Sequence, residues 1–166
     1  MKESGSTIPN DVDLIQRAES LIEKESVLTL ATAEDGMAWS APVYFVYVKS
    51  KFYFFSSPDS RHIREALQSG QAAATIFLPA SSWQDIKGIQ MTGLVETGFN
   101  MLESMKAVRR YLQKFPFTTS FFPEKGSIDL DAFAKKFRVK FYRFIPNRVY
   151  YMDNSIRFGF RESINL

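Results

Sequence analysis

With 166 residues, 45% of them hydrophobic, and a formal net charge of +3, the chain is long enough to bury a core and reads as one domain over residues 1–166. It has no cysteine and one histidine, His62, which excludes a disulfide framework, a thiolate zinc site, a cysteine nucleophile and a multi-histidine metal cage within one chain. The basic residues are spread among acids in small clusters such as Arg109-Arg110 and Lys135-Lys136, a pattern that fits a solvated face and an anionic small ligand better than a nucleic-acid stripe.

Residues 1–9 are polar, without the apolar core of a signal peptide, and no run approaches the roughly 20 apolar residues of a membrane helix. A flexible tail, a cytoplasmic location and no membrane partner are therefore expected. Leu14, Ile15, Ala18, Leu21 and Ile22 recur at helical spacing, so residues 10–25 are expected to form a helix capped by Asn10 or Asp11 and packed as a lid. Residues 27–32 read as a buried strand, Glu34-Asp35-Gly36 as a hairpin turn, and residues 37–48 as the returning strand. Pro42 removes one donor from that strand, so it marks an edge, a bulge or a split in the sheet.

A third strand over residues 52–56 ends at Ser56-Ser57-Pro58-Asp59, where Ser60 is placed to cap a short helix closed by Gly70. A fourth strand follows over residues 71–77, with Ala72, Ala73 and Ala74 small enough for close packing, and a fifth over residues 88–96, with Gly93 marking a bulge or bend. Residues 100–136 read as a helical insertion. Within it, a helix over 101–114 carries Leu102, Met105, Val108 and Leu112 on one face, and an aromatic loop over 117–126 leads to a short helix over 129–137. A sixth strand over 138–152, interrupted at Pro146, and a last strand over 156–160 complete a mainly β chain, a β-barrel with accessory helices.

The polar groups concentrate where the third strand becomes a helix. Ser56, Ser57 and Ser60 supply hydroxyls, Arg61 and His62 supply side-chain donors, and a first helical turn leaves backbone N–H groups at the positive end of its dipole. These are the groups that hold a phosphate. The same residues also suit an ordinary N-cap followed by a solvated basic turn. No paired carboxylates, no Ser-His-Asp order and no glycine-rich nucleotide loop stand out.

The order of these elements, with Ala41-Pro42-Val43-Tyr44-Phe45, Phe54-Phe55-Ser56-Ser57, Ser60-Arg61-His62 and Met91-Thr92-Gly93-Leu94-Val95-Glu96 in succession, resembles the pyridoxamine 5′-phosphate oxidase-like superfamily of FMN-binding split β-barrels. The run from Tyr142 to Asn154 and the following Phe158-Gly159-Phe160 resemble a bacterial branch of it. The resemblance implies a split β-barrel and a homodimer with FMN at its interface. It also implies a flavin-dependent oxidation or reduction of a small molecule, in which the cofactor carries the electron transfer.

Ser60, Arg61 and His62 then correspond to the phosphate-holding turn, with His62 where a lysine is common and no basic residue near Ser40. Ser40, Pro42 and Val43 correspond to the strand that meets the flavin ring, and Phe55, Ser56 and Ser57 to the strand end beneath it. Lys87 and Gln90 are expected to reach the flavin from a neighbouring subunit. The substrate-phosphate residues of the oxidase itself find no match. Two other functions stay open: a haem-binding or haem-degrading protein on the same barrel, with His62 as the one histidine ligand, and a non-enzymatic flavin- or nucleic-acid-binding module.

Overall fold

The computed structural model describes residues 9–121 and 130–166, so residues 1–8 of the expected tail and residues 122–126 of the aromatic loop lie outside the described residues. Helix α1 (Asp11–Lys24) starts at Asn10, whose side chain accepts from the Asp13 amide at 3.0 Å, and it buries Leu14, Ala18, Leu21 and Ile22. Strands β1 (Val27–Glu34) and β2 (Met37–Val48) form an antiparallel hairpin. Their two-residue turn puts Asp35 and Gly36 at φ 50° and 76°, the left-handed pair that an Asp-Gly turn provides.

Strand β3 (Lys51–Ser56), helix α2 (Arg61–Ser69), β4 (Ala72–Phe77) and β5 (Lys87–Glu96) follow. The C-terminal part adds helices α3 (Met101–Lys114) and α4 (Leu130–Phe137) and strands β6 (Lys140–Asp153) and β7 (Arg161–Ile164).

The strands run in the order β3-β2-β1-β4-β5-β6-β7, and an additional β3–β6 pairing closes the first six into a barrel with β7 hung outside on β6. Alternate residues of each strand face inward, among them Leu28, Leu30, Phe45, Phe54, Ile89 and Phe144, all fully buried. Helix α1 closes one end of the barrel, packing on β4, β5 and β7; α2 closes the other, packing on β1, β5 and β2. Among the described residues no helix is long and apolar enough to cross a membrane.

The barrel is split because β3 pairs with only part of β2. The ladder covers Phe45–Val48 of β2, so among the described strands residues 37–44 have β1 on one side and no strand on the other. Pro42 lies in this stretch, opposite Thr29. The Phe45 amide donates to Ser26 at 3.1 Å, and antiparallel pairing alternates bonded and unbonded residues. Val43 and Ala41 therefore bond to β1, while the missing donor of Pro42 falls on the bare side, where no ladder bond is lost.

Three expectations need correction. The α3 stripe is turned: Val108 is buried as expected, but Leu102 and Met105 are 64% and 55% exposed, and Ala107 and Tyr111 are buried in their place. Glu103, one turn before Ala107 on that face, accepts hydrogen bonds from Tyr53 Oη, from Lys51 Nζ at 3.2 Å and from Arg143 at 2.6 Å. A charged residue thus sits in the inward stripe. The three donors hold its carboxyl down at about 2, the Tyr53 hydroxyl contributing most.

The second correction concerns the last strand, which begins at Arg161 instead of spanning 156–160. Asn154 Oδ1 accepts from the Gly159 amide at 3.0 Å, Gly159 takes φ 70°, and this turn drops Phe160 into the core. The third is β6, which runs unbroken through Pro146. Its register with β5 shifts between Thr92 and Gly93, which pair with Arg148 and Pro146. Asn147 is thus the extra residue of a bulge at Gly93.

Candidate functional site

The α2 end of the barrel gathers Ser56, Ser57, Ser60, Arg61 and His62. Ser60 occupies the N-cap position with extended φ and ψ of −67° and 143°, yet its hydroxyl caps no amide. It donates instead to the Ser57 carbonyl at 2.7 Å and lies 3.3 Å from both Ser56 Oγ and His62 Nε2. The Ser60 carbonyl accepts from Ile63 and Arg64. The amides of Arg61 and His62 are left without a hydrogen-bond acceptor among the described residues, as expected of an open first turn. His62 Nε2 is 2.8 Å from Ser56 Oγ, while Ser57 Oγ accepts from the Asp59 amide at 3.3 Å.

Beside this turn runs the bare edge of β2. By the alternation set at Phe45, the backbone groups of Ala38, Ser40 and Tyr44 point away from β1. Ser40 is exposed there. Val43 is 7% exposed and faces the barrel interior, with its backbone turned to β1. Phe55 packs with Phe141 and Tyr111 at ring separations of 4.5 and 5.1 Å, so its ring lies under α3.

Lys87 and Gln90 are placed apart from this end within one chain. Register links Ser40 to Ala31, Ala73 and Thr92 in one row across the sheet. At about 3.4 Å per residue, Lys87 is about 17 Å along β5 from that row, paired with Asp153 at 3.5 Å. Gln90 is about 7 Å from the row and half-buried on the outward face, between Thr75 and Tyr150.

Three residues were missed by the sequence reading. Glu65, 2% exposed, accepts from Arg61 Nε and from Thr32 Oγ1 at 2.5 Å. The Arg61 guanidinium also lies 4.8 Å over the Trp39 ring and 3.4 Å from the Met37 carbonyl. Arg61 is thereby held against the hairpin at the open edge. The signal for Glu65 was its place four residues after Arg61, a spacing that puts both on one helix face. Trp39 gave no signal beyond its neighbour Ser40.

Arg61 first, and then Thr32, hold the Glu65 carboxyl below the usual carboxylate range. Burial pushes His62 down, against the pull of the Glu65 charge. The cluster therefore offers a fixed cation, a histidine biased to its neutral form, hydroxyls and two open amides beside an unpaired strand edge. Such a set suits an anion carrying a flat polar body.

A family model described as pyridoxamine 5′-phosphate oxidase matches residues 14–151. The chain belongs to the pyridoxamine 5′-phosphate oxidase family. A UPF0306 protein of Pasteurella multocida is 25% identical over 80 residues, which are 47% of this chain and 54% of that protein. The match thus spans about half the length of this curated relative.

Among solved structures, a heme binding protein from Mycobacterium smegmatis superposes with a TM-score of 0.68 at 15% identity, over 96% of this chain and 59% of that one. A FAD-binding protein from Mesorhizobium loti gives 0.59 at 17% identity, over 81% of this chain and 90% of that one. At such identities the likeness shows the fold alone: the oxidase-family split barrel, built here from seven antiparallel strands and four helices among the described residues.

Proposed function

We propose that the chain is an FMN-binding member of the pyridoxamine 5′-phosphate oxidase family, acting as a flavin-dependent oxidoreductase on a small molecule. The observation that carries this reading is the junction of the open first turn of α2 with the bare edge of β2. The amides of Arg61 and His62, the Ser56 and Ser60 hydroxyls and the Arg61 guanidinium would hold the phosphate. Backbone groups of Ser40 and Tyr44 would face the flavin ring. When bound, FMN supplies hydride and electron transfer. The chain's part is to orient the cofactor, with Glu65 and Thr32 fixing Arg61, and to keep water from its reacting face.

A homodimer with the flavin at its interface belongs to the same proposal. The outward face of β1 and β4 carries small or half-buried residues, Thr29, Ala31, Ala73 and Thr75, with Phe77 58% exposed at its border. A second copy laid there would bring its own Gln90, and at the far border its Lys87, toward the cofactor. The engagement of His62 Nε2 by Ser56 at 2.8 Å supports phosphate binding over axial ligation of a haem iron.

An absorption spectrum of the purified protein before and after FMN addition, with the released cofactor identified by mass, tests the reading. Bound-flavin bands and the mass of FMN support it. A Soret band, or a colourless protein that ignores FMN, overturns it.

The pH dependence of binding follows from His62. Its free-state value lies below the ordinary 6.5 because of burial, and a dianionic phosphate beside it raises that value. Binding in the interval between the two is accompanied by proton uptake, so affinity weakens as pH rises through it. The second ionisation of the phosphate, near pH 6, acts in the opposite sense and is common to any variant. His62→Lys keeps a positive charge throughout. The ratio of the wild-type to the His62→Lys Kd is therefore expected to rise with pH through that interval, by about tenfold if His62 reaches the phosphate. Flavin fluorescence titrations between pH 5.5 and 8.5 measure it, and a flat ratio removes His62 from the site.

A further inference from the structure

The opposite end of the barrel holds a second constellation. Between α1 and the ends of β5 and β6 lies a cleft of about 540 Å³, whose lining includes Gln16, Arg17, Ser20, Lys24, Lys87 and Asp153. Asp153 is fully buried, and its carboxylate accepts from the Ser155 amide at 2.9 Å, from Ser155 Oγ at 2.5 Å and from Tyr151 Oη at 3.1 Å. Arg17 and Lys87 flank the same oxygen, Oδ2, at 3.6 and 3.5 Å.

Those two separations set the chemistry. Charge-assisted hydrogen bonds close to about 2.7–2.9 Å, and neither cation makes one to Asp153. Arg17 and Lys87 are thus drawn to one buried charge and remain 47% and 33% exposed toward the cleft. Arg17 also donates to the Tyr151 hydroxyl, while among the described residues Lys87 has no hydrogen bond to another group. One cation would balance Asp153, so the second is surplus, and Lys24 adds a third. Arg17, Ser20 and Lys24 follow one another at i, i+3 and i+7, which places all three on one face of α1. Asp13 on that face is the remaining acid of the lining, and it leaves the cleft with an excess of one positive charge.

We propose that this cleft is a second ligand site, for the phosphoryl group of a small molecule, with Arg17 and Lys87 as the paired cations and Ser20 as a hydroxyl donor. The donors outnumber what the two oxygens of a carboxylate can accept, and the volume exceeds that of inorganic phosphate alone. Within one chain the site lies at the opposite end of the barrel from the α2 turn and does not require flavin there; because Lys87 also figures in the dimer proposal, Arg17 and Ser20, which the flavin reading does not use, are the residues that tell the two sites apart.

The test is a titration of the ¹⁵N-labelled full chain at low ionic strength with inorganic phosphate and with glycerol 2-phosphate, using succinate as the carboxylate comparison. Saturable shifts of the Gln16, Ser20 and Lys87 amides are expected with both phosphates, tighter for the ester, and weaker by about tenfold for succinate. Arg17→Gln and Lys87→Gln should each raise the phosphate Kd by about tenfold or more, and Arg61→Gln should leave these shifts unchanged. Arg17 is half exposed, so its variant keeps the fold; Ser20→Ala, expected at a few-fold, gives a second reading on α1. Shifts confined to residues 60–62, succinate binding as tightly as phosphate, or a folded Arg17→Gln chain with unaltered affinity would each overturn the proposal.

Discussion

Replacing Gly93 by alanine is expected to prevent stable folding. A Cβ at this position would stand 2.1 Å from the Ile145 carbonyl oxygen, and 2.9 Å from both the Ile145 carbonyl carbon and Phe144 Cζ. The first two are backbone atoms of the paired strand, so no change of rotamer relieves the contact. Relief requires β6 to move at the bulge that joins it to β5. The barrel would lose the register that carries Phe144 and Val149 inward, at a cost above about 4 kcal/mol. A domain of this size has about 5–15 kcal/mol in total. Far-UV circular dichroism with thermal melting checks it: the variant should be insoluble or melt far below the parent, and a melting point within a few degrees would contradict the close approach.

That bulge was legible in the sequence because a glycine inside an apolar strand has few other uses. Pro42 was legible for a related reason: a residue without a donor must sit where the ladder has no use for one, and the bare side of β2 is such a place. The α3 face was not. Two stripes were available on that helix, and the apolar count favoured Leu102 and Met105, while the inward stripe includes Glu103. Its partners Tyr53 and Arg143 come from strands far away in sequence, so no local pattern announces that a charge belongs there.

The end of the chain misled in another way. Phe158-Gly159-Phe160 looks like strand, but a side-chain acceptor on Asn154 makes it a turn. At the candidate site, the serines, Arg61 and His62 were readable as a cluster in one short segment. Their dependence on Glu65, Thr32 and Trp39 appears only when hairpin and helix meet.

The second large effect is expected at Arg61. Arg61→Ala should weaken FMN binding by about 1.5–3 kcal/mol, about 10- to 150-fold, if the guanidinium pairs with the phosphate. The substitution also leaves the buried Glu65 carboxylate without its cation, which destabilises the chain by itself. The double variant Arg61→Ala, Glu65→Gln separates the two consequences. Neutralising Glu65 should restore much of the melting temperature without restoring affinity. Isothermal titration of FMN into all three proteins gives the decision. Unchanged affinity in the folded double variant would make Arg61 a partner of Glu65 and nothing more, whereas a loss that persists after the fold is repaired assigns Arg61 to the cofactor.

The β3–β6 pairing has a bearing on how the molecule is made. Phe52 faces Phe144 in register, across more than half the length of the chain. During synthesis the first five strands and α2 emerge before the strand that joins β3 to β5, so both waiting strands hold bare ladder edges with aromatic residues between them. Long-range closures of this kind are slow, and unpaired edges invite association with other chains. Helix α3 emerges in that interval and packs Ala107 and Tyr111 over Val46 and Tyr53. By shielding the outer surface of the unfinished sheet until β6 arrives, the helical insertion can serve the nascent chain as a built-in cover, a role that ends once the ring has shut.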